Sequence, residues 1–195
     1  MKVAIVLFPG TNCEQDTKYA FELLGCQTQI IWHKESEINA DLIVLPGGFS
    51  YGDYLRTAAI AKFSPAMNAA RKHAQKGGYV LGICNGFQML CELKLLAGAM
   101  RRNENLSFIS KYHNLKVVSN ANKFLSNLSV GEVVNIPIAH GEGNFYASDD
   151  TLKSLYDNDQ VLLKYCDANG AELNPNGSVD EVAGICDKNK KIFGL

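Results

Sequence analysis

Tyr79 to Ile83 is an apolar run of strand length that stops at Cys84, and a helical pattern begins at once behind it. Gly82 and Gly86 stand two residues before and two after the cysteine. A strand that turns this sharply into a helix brings its i−2 and i+2 positions against the central residue, and only glycine has no Cβ to collide there. The pattern is that of a nucleophile elbow with cysteine in the reactive place. It would lift the sulfur to the top of a sheet at the amino end of a helix, where the dipole and free N–H groups favour a thiolate. An isolated cysteine is most often a small buried hydrophobe. The two placed glycines favour the elbow here.

Around this junction the chain alternates. Lys2 to Phe8 reads as a buried strand, and Pro9-Gly10-Thr11-Asn12 turns the chain, with Thr11 or Asn12 as helix cap. Cys13 to Leu24 has helical spacing and is stopped by Gly25; Gln27 to Trp32 and Asp41 to Leu45 return as strands. Ser64-Pro65 reads as a cap with proline at the first helical position, opening a helix to about Lys76. Strands alternating with helices imply parallel βαβ units, hence an α/β fold with an open, mostly parallel sheet flanked by helices. Beyond Gly98 the pattern loosens. Ser107–Ile109, Leu115–Val118 and Glu132–Ala139 carry polar interruptions that suggest a smaller, more exposed antiparallel portion. Gln160–Tyr165, Val182–Cys186 and Lys191–Leu195 read as three further strands.

Composition excludes several classes of function. The 195 residues carry a net charge of −1, which argues against a nucleic-acid surface, since that needs a basic stripe. No stretch approaches membrane-spanning length, and the first apolar run ends at Pro9-Gly10, too short for a secretory signal. Six cysteines without a C-x-x-C pair suggest reduced thiols in the cytoplasm and no metal site.

Three loops follow directly on proposed strand ends: Pro46-Gly47-Gly48-Phe49, Cys84 and His140-Gly141-Glu142-Gly143. In an open α/β sheet that edge is where ligands bind. The Gly47-Gly48 loop could bring backbone N–H groups to a ligand or be a plain connection, and it lacks the pattern of a phosphate-cradling loop.

Gly82-Ile83-Cys84-Asn85-Gly86-Phe87-Gln88 resembles the nucleophile motif of class I glutamine amidotransferases, whose architecture is flavodoxin-like. Four further stretches are similar to the glutaminase subunits of phosphoribosylformylglycinamidine synthase. They are Phe8-Pro9-Gly10-Thr11-Asn12-Cys13, Gly47 to Arg56, Ala139 to Gly143, and Asn174-Pro175-Asn176-Gly177-Ser178. The resemblance runs from the first strand to the last residue. It implies hydrolysis of glutamine to glutamate and ammonia through a thioester on Cys84, for use in purine biosynthesis. The oxyanion would be met by the N–H of Asn85 and by one from Gly47 or Gly48. Gln88 and the segment His140, Gly141 and Glu142 would bind the substrate. The implied partners are a larger synthetase subunit, which would hold ATP and magnesium, and a small accessory subunit. No cofactor is expected in this chain.

The resemblance also calls for a His-x-Glu pair just after the last strand, where this chain reads Ile192-Phe193-Gly194-Leu195. The expectation is therefore a single domain over 1–195 lacking its C-terminal segment and nearly inactive alone. His33, His73 and His113 read as surface or satisfied polar residues. His140-Gly141-Glu142 has the His-x-Glu spacing and offers a substitute base and orienter. A third reading is a docking subunit without catalysis, with Tyr51, Tyr54 and Arg56 as first candidates for partner contact.

Overall fold

The computed structural model describes residues 1–195, which form two compact units, Met1–Leu95 with Gly194, and Leu96–Phe193 with Leu195. In the first, β1 (Lys2–Leu7) is followed by α1 (Glu14–Leu23), β2 (Gln27–Trp32), β3 (Leu42–Leu45), α2 (Pro65–Gln75), β4 (Tyr79–Gly82) and α3 (Asn85–Glu92). The strands lie in the order β2-β1-β3-β4, and every adjacent pair is parallel. Val3 to Val6 and Leu42 to Leu45 are all buried, as strands covered on both faces must be. β2, at the edge, alternates instead between exposed and half-buried positions.

Local signals account for most of the boundaries. Ser64 caps α2 by accepting the Met67 N–H on its side chain, with Pro65 behind it at the first helical position. The start of α1 corrects the expectation of a Thr11 or Asn12 cap. Cys13 holds that position without a side-chain capping bond, because Thr11 is committed elsewhere: its Oγ1 accepts the Phe8 N–H and its backbone bridges Gly48. Glu14 and Asp16 in the first turn complement the helix dipole.

The second unit is mainly antiparallel, as its polar interruptions suggested. It contains β5 (Ala99–Arg101), β6 (Ile109–Val117), β7 (Val133–His140), β8 (Asn144–Tyr146), α4 (Asp149–Asp157), β9 (Val161–Cys166), β10 (Val182–Cys186) and all but the last residue of β11 (Ile192–Gly194). β7 pairs with β6, β6 with β9 and β9 with β10, all antiparallel. β5 and β8 form a separate two-stranded ribbon. The expected strands at 107–109 and 115–118 are one strand, β6, with His113 in its middle. Ser110, Lys111 and Lys116 are exposed, as an antiparallel strand with one solvated side allows, while His113 is buried. β5, β8 and α4 were not foreseen. Three-residue strands leave no period to read, whereas α4 does carry a signal, Ser148 accepting the Thr151 N–H ahead of Asp149 and Asp150.

No helix is long and apolar enough to cross a membrane.

Candidate functional site around Cys84

The turn after β4 is as tight as the glycines imply. A Cβ on Gly82 would lie 2.6 Å from the Gly86 carbonyl oxygen, and one on Gly86 would lie 1.9 Å from the Leu45 carbonyl oxygen. Cys84 itself takes φ 51° and ψ −107°, a conformation that costs a non-glycine residue on the order of 1–3 kcal/mol. The surrounding fold holds it there, since Gln88 N–H closes the first turn of α3 onto the Cys84 carbonyl at 3.1 Å.

Two backbone N–H groups, those of Asn85 and Gly48, hydrogen-bond Cys84. One comes from the helix behind the cysteine and the other from the loop after β3. Gly47 is the point of closest approach: a Cβ there would stand 3.5 Å from the Cys84 Cβ and 3.6 Å from the Cys13 Sγ. The Pro9–Cys13 loop backs this arrangement, with Phe49 N–H donating to the Gly10 carbonyl at 3.1 Å. Two N–H donors converging on a nucleophile are what an acyl-transfer site needs to receive an oxyanion.

The expected thiolate is corrected. Burial pushes the Cys84 thiol up to about 11; the Asn85 and Gly48 N–H groups pull it down, while Cys13 and Asp53 oppose ionisation. Desolvation of the sulfur outweighs the helix end. The thiol therefore stays protonated at neutral pH, and its thiolate fraction grows until the pH nears 11. Alkylation of Cys84 by iodoacetamide, followed on its own peptide, is expected to rise about tenfold per pH unit from pH 7 to 9.5. A plateau below pH 8 would contradict this environment.

Gln88, expected at the substrate, is buried with its Oε1 accepting from Asn85 Nδ2 at 2.8 Å. Asn85 Oδ1 in turn accepts the Ser50 N–H at 3.2 Å. Cys13 was not foreseen beside Cys84; its thiol is likewise pushed up, by burial first and then by Asp16 and Glu14. Its only sequence signal is its place at the end of the loop after β1.

His140, Gly141 and Glu142 lie in the second unit, at the end of β7. They are tied by Asn103, which is fully buried. Its Nδ2 donates to the carbonyls of His140, at 2.8 Å, and Ser107, at 2.7 Å. Its Oδ1 accepts the Gly143 N–H at 3.0 Å and lies 3.1 Å from His140 Nδ1. An amide oxygen can only accept, so His140 carries its proton on Nδ1. Nε2 is buried without a hydrogen-bond partner, and burial holds the imidazole below its ordinary pKa. Neither ring nitrogen bonds Glu142, so the substitute base-and-orienter pair is not formed. Asn176 Nδ2 and Ser178 Oγ both donate to the Gly143 carbonyl, which explains the Asn174–Ser178 motif.

His33 and His113 are satisfied, by Tyr51 Oη at 2.7 Å and the Leu173 carbonyl at 3.1 Å, whereas His73 packs over Gly78 with Nε2 unpartnered. Tyr51 is thus committed, and Arg56 holds Glu92 through two hydrogen bonds of 3.1 and 2.7 Å. Tyr54 alone of the three suggested contact residues makes neither kind of commitment and is largely exposed. Glu172, Asp180 and Glu181 bring ligand atoms within 4.8 Å of one another, and Lys164 Nζ, 2.9 Å from Asp180, answers their charge.

The model of the CobB/CobQ-like glutamine amidotransferase domain matches residues 1–195. The phosphoribosylformylglycinamidine synthase subunit PurQ of Campylobacter jejuni is 66% identical over all of this chain and 85% of its own length. That of Sulfurimonas denitrificans is 60% identical, with 88% of its length covered. Among solved structures, PurLQS from Thermotoga maritima superposes with a TM-score of 0.90 at 36% identity, over all of this chain and 85% of that one. The chain therefore belongs to the glutamine amidotransferase family and, within it, to the PurQ subunits of phosphoribosylformylglycinamidine synthase.

Proposed function

We propose that Cys84 is the nucleophile through which this chain, the glutaminase subunit of phosphoribosylformylglycinamidine synthase, releases ammonia from glutamine for purine biosynthesis. The observation that carries the assignment is the strained elbow with the Asn85 and Gly48 N–H groups aimed at one sulfur. Sγ adds to the side-chain carboxamide carbon, and the carbonyl oxygen becomes an oxyanion that those N–H groups stabilise. The C–N bond then breaks, and ammonia departs with the proton that the thiol gave up. Water adds to the resulting γ-glutamyl thioester and releases glutamate and free Cys84. A subunit kept only for docking would have no use for a cysteine held at this conformational cost.

The ammonia passes to a synthetase partner that binds ATP and magnesium, with a small accessory subunit in the same assembly. Likeness to PurLQS supports a complex of this kind. The six unpaired cysteines support a reducing compartment, the cytoplasm. For His140, Gly141 and Glu142 the support is the Asn103 knot, which presents their backbone in one fixed conformation, as recognition by backbone groups requires.

Acid-quenching the assembled enzyme during turnover and mapping its peptides by mass tests the proposal. A glutamyl adduct on the peptide carrying Cys84 is expected. An adduct on another residue, or none while glutamate is being released, would overturn it.

A further inference from the structure

The two N–H groups at Cys84 belong to different elements, and the one from the loop follows a Gly47-Gly48 pair. A peptide between two glycines turns over at little cost, which would carry its N–H away from the sulfur. Something must hold it. On one side the loop after β1 does so, through the bridge from Thr11 to Gly48 and the bond from Phe49 N–H to the Gly10 carbonyl. On the other side stands the Asn85 side chain. Its Oδ1 takes the Ser50 N–H, two residues past Gly48, while its own backbone N–H faces Cys84. Its Nδ2 is anchored on Gln88 Oε1, one helical turn on. Asn85, Gln88 and Ser50 are 1%, 6% and 2% exposed, so the chain of bonds is shielded from water.

We infer that the Asn85 side chain, seated by Gln88, is a positioning device. It locks the loop after β3 to the elbow helix, so that the two oxyanion donors form one preassembled unit within this chain. Gln88 acts in it through Asn85. This rests on the assignment of Cys84 as the glutaminase nucleophile.

The test compares wild type with Asn85→Ala in the assembled enzyme and follows two readouts besides turnover. One is iodoacetamide alkylation of Cys84, a displacement that builds no oxyanion. The other is hydrogen exchange of the Ser50 amide. For Asn85→Ala, kcat for glutamine hydrolysis is expected to fall about 100-fold, the scale of losing one oxyanion donor. KM and the alkylation rate should stay within about twofold, and Ser50 exchange should speed at least about tenfold. If Asn85→Ala is insoluble, Gln88→Leu, which removes only the anchor, carries the same pattern at smaller size. A raised KM with kcat intact would make Asn85 a substrate contact and overturn the inference. Alkylation falling in step with kcat, or unchanged Ser50 exchange, would overturn it as well. A wild-type complex that releases no glutamate would instead overturn the glutaminase assignment, and Ser50 exchange would still report on the lock.

Discussion

Cys84→Ala is expected to lower glutamine-dependent synthesis by the assembled enzyme at least about 1,000-fold and to leave synthesis from added ammonia unchanged. The size follows from what the residue does. Without a nucleophile at the elbow there is no thioester, and water would have to attack an unactivated amide in one step. The Asn85 and Gly48 N–H groups would still be present, and they account for whatever residual hydrolysis is measured. Cys13 is close, its Sγ facing Gly47, yet it is no replacement. It sits at the head of α1 rather than on the strained turn, and burial together with Asp16 and Glu14 keeps its thiol protonated. The ammonia-dependent arm separates two accounts of the same loss. If both activities fell together, the substitution would have disturbed assembly, and the nucleophile assignment would lose its support.

What could be read from residue order here was what depends on neighbours along the chain. Gly82 is required by a steric contact with Gly86, four residues on, and Ser64-Pro65 caps α2 within its own first turn, whereas the need for glycine at 86 comes from Leu45, far off in the chain. The unbroken apolar runs of β1 and β3 gave away burial on both faces. Whatever depends on pieces far apart in sequence stayed hidden. The loop after β1 and the loop after β3 lie about 40 residues apart, and nothing in either announces that they pair and place Cys13 beside Cys84. The sign of the Cys84 shift was misread for the same reason. A helix start is visible in sequence, but the burial that outweighs it is not. Asn103 is another case. As one asparagine among several in a polar stretch it looked ordinary, yet it is the buried centre that fixes His140 to Gly143 and takes the nitrogen an orienting carboxylate would need. Gln88, expected to reach the substrate one turn past Cys84, has its Oε1 accepting from Asn85 Nδ2 instead.

Gly86→Ala is expected to be the most damaging single methyl in the first unit. Its Cβ would fall 1.9 Å from the Leu45 carbonyl oxygen, 2.7 Å from the Leu45 carbonyl carbon and 2.8 Å from the Leu45 Cβ. None of these is the free end of a flexible side chain. Leu45 ends β3 and is paired to Gly82 of β4, while its carbonyl also accepts the Ile83 N–H at 3.0 Å. Relief would have to come from moving the parallel core strand away from its neighbour or from backing α3 out of the turn. Either movement breaks ladder hydrogen bonds and opens the contacts of Met89 and Leu90, both fully buried. The cost should be about 4 kcal/mol, at the upper end for a point substitution. For a chain of this size that corresponds to a fall in Tm of about 8–16 °C. Gly77→Ala makes the control, because a Cβ there meets nothing within 4 Å and the only cost is its φ of +82°. It should destabilise by about 1 kcal/mol, the strain of a left-handed residue without a clash. Thermal unfolding of both variants decides the matter. A Gly86→Ala protein within about 2 °C of wild type would mean that the turn at Cys84 is not held by contact with Leu45, and the steric account of the elbow would fall with it.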